Sequence, residues 1–304
     1  MALLWPPEVG LLRHTPSLRL GIAGAESNLA VGVVRLGVPA AWLGRVGDDE
    51  FGRLVTMALR GQGVQTAVVV DPSAPTGLMV KERRTARAVR VLYYRSGSAG
   101  SRLCPDDVDA AVVREAGVLH VTGITPALSP TAREAVFVAV DIARAAGVTV
   151  SVDLNYRSAL WSPADASPVL RDLVRRADIL LATEEEARLL VEGADDEALV
   201  DQLVRLGPAQ VLLKQGSAGA LSSVDGRMHR TPAHRVDVVD SVGAGDAFGA
   251  GYLSGLCRGL GVDERLALAT AAGAFAVMVP GDWEGLPSTA DLSLLGAEEG
   301  VVLR

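Results

Sequence analysis

A chain of 304 residues with 49% hydrophobic side chains is long enough for one large α/β core or two ordinary domains, and needs no covalent staples to fold. Its net charge of −7, without a long like-charge run, argues against nucleic acid or an anionic membrane as partner and makes small molecules the default. Cys104 and Cys257 are too few for a disulfide framework and lack zinc-site spacing, which fits a reducing compartment, the cytoplasm. Neither a signal peptide nor a membrane helix is expected, since Pro6-Pro7 interrupts the apolar start and the small-apolar run 266–280 is too short to span a bilayer.

In chain order, Gly24-Ala-Glu-Ser-Asn28 reads as a turn entering a helix, and the glycines and acids of 44–52 read as a strand-to-helix connection. Residues 76–95 alternate apolar and charged on both sides of a polar centre, which predicts a two-stranded antiparallel hairpin. A hairpin cannot bury one face alone, so it should pair with the stretch before Gly21 to make a small sheet or lid. Beyond it, strands at 118–122, 148–153, 179–182 and 210–214 alternate with helices at 130–146, 168–176, 184–191 and 197–206. That rhythm predicts a mostly parallel sheet covered by helices, with chemistry at the carboxyl ends of the strands, where Asp153, Asn155, Thr183 and Lys214 fall. The four histidines have no ligand spacing.

Asp240-Ser-Val-Gly-Ala-Gly-Asp246, followed by an apolar helical run, is the most informative stretch. The first N–H groups of a helix lack intrahelical partners and carry the positive end of the dipole, so a loop of small residues lets a phosphate approach them. A carboxylate beside that anion makes sense if it takes a proton from the hydroxyl that attacks phosphorus. Taken alone, Asp246 reads first as a helix cap, since short glycine motifs arise often without function.

The 24–37 and 44–52 motifs together with the Gly-Ala-Gly-Asp loop closely resemble the ribokinase, or PfkB, family of sugar kinases. The resemblance implies a ribokinase-like α/β fold, a mostly parallel sheet flanked by helices, with a catalytic domain over 23–304 and a β lid from about 1–22 and 76–95. Residues 93–101, 122–130 and 153–163 further resemble 2-keto-3-deoxygluconate kinases. Arg95 and Arg157 would offer planar forks to a sugar-acid carboxylate. The implied reaction is ATP-dependent phosphorylation of the 6-hydroxyl, with another sugar or nucleoside kinase of the fold, or a non-catalytic sugar binder, as the alternatives.

By the same resemblance Asp246 is the base and Gly243, Ala244 and Gly245 bind the transferring phosphoryl group. Substrate contacts are implied at Gly24, Asn28, Tyr93, Tyr94, Arg95, Ile124, Arg157, Asp246 and Asp282. Nucleotide contacts are implied at Thr183, Lys214, Gln215, Gly216, Ser217, Ala218, Gly219, the 243–245 loop and Thr270. ATP and Mg2+ are the implied cofactors, with a monovalent cation such as K+, and Glu186 would hold the metal through water. Three glutamates opening a helix also complement its dipole, and that reading competes. A homo-oligomer through the lid is expected.

Three departures stand out. Met79 stands where related kinases often carry Tyr, and Thr270 where an Asn often faces adenine. Related kinases also open with a strand carrying Gly and an acid, whereas Met1-Ala-Leu-Leu-Trp5 falls in the next strand. The expectation is an upstream start, or else a core with an open groove and unpaired backbone.

Overall fold

The computed structural model describes residues 1–85 and 88–296. The tip of the expected hairpin, Ala86 and Arg87, and the end of the expected domain, 297–304, lie outside the described residues.

The amino end forms β1 (Ala2–Trp5) and β2 (Arg19–Ile22), and the hairpin forms β5 (Leu78–Thr85) and β6 (Ala88–Tyr94). The four make one sheet in the order β2-β1-β5-β6, with β1 parallel to β5. The hairpin and the first residues thus pair edge to edge and build one shared apolar face, with Leu3, Met79 and Val91 in one cluster, as two strands alone could not. Between these pairs lie α1 (Ala25–Arg35), β3 (Ala41–Gly47), α2 (Glu50–Gly61) and β4 (Gln65–Asp71), with β3 and β4 pairing in parallel.

The rest of the chain alternates as its periodicity demands. In order come α3 (Ala110–Glu115), β7 (Val118–Thr122), α4 (Pro130–Ala145), β8 (Thr149–Asp153), α5 (Pro163–Arg175), β9 (Ile179–Thr183) and α6 (Glu184–Ala187). Then follow α7 (Asp196–Leu206), β10 (Gln210–Lys214), β11 (Ala220–Val224), β12 (Arg227–Thr231), α8 (Ala244–Cys257) and α9 (Val262–Val277). Strands β7 to β10 are parallel neighbours, and β11 and β12 extend that sheet antiparallel.

Two expected helices shift. The fifth begins earlier than predicted, because Ser162 accepts the Asp165 N–H and Pro163 supplies a preset first residue; Pro168 is carried inside it. The sixth is one turn only.

Alternation along β9 shows why the sheet is covered on both faces. Leu180 and Ala182 join a core with α4, α5 and α7, while Ile179 and Leu181 join one with α8 and α9. The two closing helices pack closely: a Cβ on Gly251 would lie 2.7 Å from the Ala269 Cα. That contact holds α8 against α9 and so fixes where the glycine loop ahead of α8 points.

The 44–52 motif is structural. Asp49 caps α2 through the Gly52 N–H at 2.7 Å, and its other oxygen accepts the Thr76 N–H at 2.8 Å, tying α2 to the root of the hairpin. Arg35, in the other motif, donates to the carbonyls of Trp283, Glu284 and Leu286 and stacks on Trp283, so α1 fixes the loop that carries Asp282.

Candidate active site

A cleft of about 1310 Å³ runs along the carboxyl edge of the parallel strands beneath the lid. Gly24, Asn28, Tyr93, Arg95, Ile124 and Arg157 all line it, as do Thr183, Glu186, Lys214, Gly216, Gly243, Gly245, Asp246 and Asp282. Residues separated by more than 200 positions thus converge on one edge, where a parallel sheet concentrates ligands.

At the centre is the glycine loop. Asp240 accepts the Val242 N–H at 3.1 Å, and Gly243 follows with φ 80°, where a Cβ would collide with the Asp282 carbonyl. The chain then enters α8 at Ala244, so the amides of its first turn point into the cleft without intrahelical acceptors.

Asp246 lies on that first turn, open only to the cleft. Burial pushes its pKa up to about 7; Asn28 opposes the rise, and the Asp153 charge adds to it. The Asn28 Nδ2 donates to Asp246 Oδ2 at 2.8 Å. Asn28 therefore holds the carboxylate in place, and its own Oδ1 is buried without a partner. A carboxyl group that titrates near neutrality, oriented by an amide, can accept a proton from a bound hydroxyl.

Beside it Lys214 donates to both oxygens of Asp153, at 2.8 and 2.7 Å. Burial would lower the Lys214 pKa, but the carboxylates of Asp153, Glu186 and Asp246 together outweigh it and the ammonium is held charged. A Cβ on Gly245 would come within 3.4 Å of the Lys214 Nζ, so this cation faces the glycine loop.

Across the cleft Arg95 is 9% exposed, stacks on Tyr93 at 4.2 Å and leaves its Nε without a partner. Burial depresses the Arg95 pKa, and the charge of Arg157 adds to that against Tyr93 and Glu26. Two guanidinium groups therefore share one wall, an arrangement that an anion would relieve.

Several expected contacts fall elsewhere. Tyr94 is 63% exposed, because successive residues of β6 point to opposite faces and Tyr93 and Arg95 take the cleft side. Thr270 turns its hydroxyl back onto its own helix, bonding the carbonyls of Leu266 and Ala267, and is not in the cleft lining. Gln215 is engaged with Asp196 at 2.5 Å, and Gly219, at φ 100°, closes the β10–β11 turn against the Thr231 carbonyl. Of that stretch Lys214 and Gly216 line the cleft; Ser217 and Ala218 are exposed outside its lining. Ile124 donates its N–H to Thr122 at 3.1 Å and its carbonyl accepts the Ala127 N–H at 3.1 Å, which leaves the second lone pair of that carbonyl as the backbone acceptor that can serve a ligand.

Glu186 is largely committed. Its two oxygens accept the N–H groups of Tyr156 at 2.9 Å and Thr183 at 2.8 Å, the second completing a capping box. Among the described residues no cluster of three His, Cys, Asp or Glu could hold a metal ion.

Glu26, Asp153 and Lys81 also belong to the site, and of these only Asp153, at the carboxyl end of a strand, was expected there. Glu26 accepts from Thr122 at 2.7 Å and Thr125 at 2.8 Å and joins α1 to the end of β7. Asp153 anchors Lys214. Lys81, from the lid strand β5, contacts the Asp282 carboxylate and lies 3.6 Å from Asp240. Glu26 sat inside a motif already singled out; nothing local marks Lys81.

Comparison with known proteins agrees with this geometry. The pfkB family carbohydrate kinase pattern matches residues 4–289. A 2-dehydro-3-deoxygalactonokinase of Haloferax volcanii is 37% identical over 99% of this chain and 96% of its own length. A 2-dehydro-3-deoxygluconokinase of Bacillus subtilis is 36% identical over 99% of this chain and 94% of its own. The crystal structure of a putative ribokinase II from E. coli in complex with ATP and Mg2+ superposes with a TM-score of 0.89 at 25% identity, covering 97% of this chain and 96% of that one. With its ribokinase-like fold, glycine loop and family pattern in register over nearly the whole length, the chain belongs to the pfkB family of carbohydrate kinases.

Proposed function

We propose that this protein transfers the terminal phosphoryl group of ATP to the 6-hydroxyl of a 2-keto-3-deoxy sugar acid, with 2-keto-3-deoxygluconate as the substrate. The observation that carries the reading is the pair Arg95 and Arg157 on one wall of the cleft that holds Asp246. A neutral sugar would leave the Arg95 guanidinium buried without an anion, whereas a carboxylate satisfies it by two parallel hydrogen bonds. Relatives named for the deoxygluconate and for the deoxygalactonate acid both match this chain, and the reading for substrate class rests on what those acids share.

In this mechanism Arg95 and Arg157 hold the carboxylate and Tyr93 covers the sugar, with Gly24, the Ile124 carbonyl and Asp282 fixing its hydroxyls. Asp246, oriented by Asn28, takes the proton of the attacking hydroxyl. The amides of Gly243, Ala244 and Gly245 receive the negative charge of the transferring group, and Lys214 adds a fixed cation beside them. Thr183 and Gly216 border the nucleotide side. The cradle fits a polyphosphate, because a side chain at Gly243 would collide with the Asp282 carbonyl, and Lys214 stands over Gly245. Mg2+, bound through the phosphates and through water on the remaining lone pairs of Glu186, would neutralise phosphate charge. The lid excludes water that would otherwise consume ATP.

Lid strands from two copies would form the homo-oligomer, supported by Leu20 and Tyr94, 51% and 63% exposed on the lid. A monovalent cation such as K+ belongs to this reading as a test variable, and the cytoplasm as its compartment is supported by the two free cysteines. No helix among the described residues is long and apolar enough to cross a membrane. The domain reading stands beside it: residues from 23 onward form the catalytic body, and 1–22 with 76–95 the lid.

A coupled assay of ADP release over 2-keto-3-deoxygluconate, 2-keto-3-deoxygalactonate, fructose and ribose tests the proposal. The keto-deoxy acids should exceed the neutral sugars in kcat/KM by about 10² or more, because a buried group is otherwise left unpaired. Equal activity on fructose and the acids would overturn it.

A further inference from the structure

Lys81 is a buried cation on a strand face that is otherwise apolar. It lies two residues beyond Met79 on β5 and pairs with Val91 of β6, and both of those neighbours belong to the cluster around Leu3. Lysine is seldom buried, because its ammonium loses water unless charges replace it. Here two carboxylates do so. The Lys81 Nζ contacts Asp282 Oδ1 and lies 3.6 Å from Asp240 Oδ2, with Asp282 6% and Asp240 13% exposed. Among the described residues no other cation forms an ion pair with either of them. Glu284, the third acid nearby, accepts the N–H groups of Asp282 and Trp283 at 2.9 and 3.1 Å, and its charge acts on Arg35.

The two carboxylates belong to the loops that frame Gly243. Asp240 Oδ1 accepts the Val242 N–H, while its Oδ2, the oxygen nearer Lys81, accepts the Gly281 N–H at 3.4 Å. Val239 and Asp240 donate their own N–H groups to the Val277 carbonyl, at 2.8 and 3.2 Å. The Asp282 carbonyl fills the space that a Cβ on Gly243 would take. One ammonium thus joins the loop ahead of α8 to the loop that follows α9, and these two loops place the 243–245 amides. Without it the charges of Asp240 and Asp282 act on each other unopposed, which drives the loops apart.

We propose that Lys81 is a positioning residue for phosphoryl transfer: its ammonium is a built-in monovalent cation that holds the glycine loop in the shape that receives phosphate, so that no free K+ is needed for that purpose. It acts through Asp240 and Asp282. An ammonium is a compact point charge, and its two carboxylates lie on different loops, so charge and size are the properties the position selects. Its strand also pairs with β6, which carries Tyr93 and leads into Arg95. A sugar acid that fixes this edge of the lid therefore fixes the ammonium, and through it the loop. This role rests on the reading that the 243–245 amides receive the phosphoryl group, and not on which sugar supplies the hydroxyl.

The test compares the parent, Lys81→Met and Lys81→Ala in KCl, NH4Cl and tetramethylammonium chloride at equal ionic strength. The parent should keep its Tm and, within about twofold, its turnover in all three salts. Lys81→Met keeps the stem without the charge, and should lose about tenfold or more in kcat and raise KM for ATP several-fold in every salt. Lys81 and Asp282 both border the cleft, so the space opened in Lys81→Ala is reached from there. K+ and NH4+ should therefore raise the Tm of Lys81→Ala by several degrees and its kcat by about tenfold, both saturably, whereas tetramethylammonium is too large to do either. The melting arm uses no sugar; the activity arm uses whichever of the four sugars turns over fastest. Rescue of Tm without phosphorylation of any of them would count against the substrate reading and leave the role of Lys81 in the fold intact. A parent that itself depends on K+ overturns the proposal, as does a Lys81→Met chain with the parental kcat and KM for ATP. So does a Lys81→Ala chain that responds alike to all three salts or stays unfolded in each.

Discussion

Asp246 combines two properties that pull against each other. Its charged form is what a base requires, and its enclosure disfavours that form. With the pKa raised to about 7, kcat/KM should fall tenfold per pH unit below neutrality and level off above it, which a pH-rate profile measures. Replacing Asp246 with Asn should lower turnover by about 10²–10⁴ with little change in ATP affinity. The same shift has a sign for stability. A folded pKa above the unfolded value of 3.8 means that the group's contribution is fully present below that value and lost as pH rises through 7. Melting curves should therefore show the Asp246→Asn protein gaining more in Tm over the parent at pH 8 than at pH 4. At the opposite wall, Arg157→Lys should raise KM for the keto-deoxy acid several-fold more than for ATP, since a point charge cannot replace a fork.

At the scale of elements, Lys81 ties the lid to the core. Its ammonium, 8% exposed, sits between Asp282 and Asp240, on the two loops that meet at Gly243. Burial raises the Asp282 pKa and Lys81 opposes the rise, so removing the cation strands a buried carboxylate. Lys81→Met should cost roughly 3–5 kcal/mol of stability, read from denaturant melts, if Asp282 stays ionised. In Lys81→Met with Asp282→Asn much of that loss should return, because no buried charge is left unpaired. Thr270 behaves oppositely: its hydroxyl serves only the preceding turn, so Thr270→Ala should leave KM for ATP within about twofold.

For the whole molecule, the lid has one face on the cleft and another outward. Tyr94, set beside Tyr93 in sequence, belongs to the outward face with Leu20. If lids pair between copies, Leu20→Asp with Tyr94→Asp should convert the assembly to monomers in sedimentation velocity; an unchanged sedimentation coefficient would place any interface elsewhere. Strand alternation in 91–95 already separates Tyr93 and Arg95 from Tyr94, so that distinction was legible in the sequence once the period of two was applied within the motif. The Thr270 position was less so, because a helical Thr shows where its hydroxyl goes only when its rotamer is seen.

Local patterns determined much of this protein. The hairpin at 76–95, the alternation of strands and helices from 118 onward, and the small-residue loop entering α8 all follow from periodicities and steric needs that act within a few residues. The pairing of β1 with β5, the hold of Asn28 on Asp246, the Lys214–Asp153 pair and the Lys81 bridge join positions between 61 and 218 residues apart. Only the tertiary structure decided these. The charge on a buried side chain is set by whichever groups the fold brings within a few ångströms, and no local sequence rule carries that information.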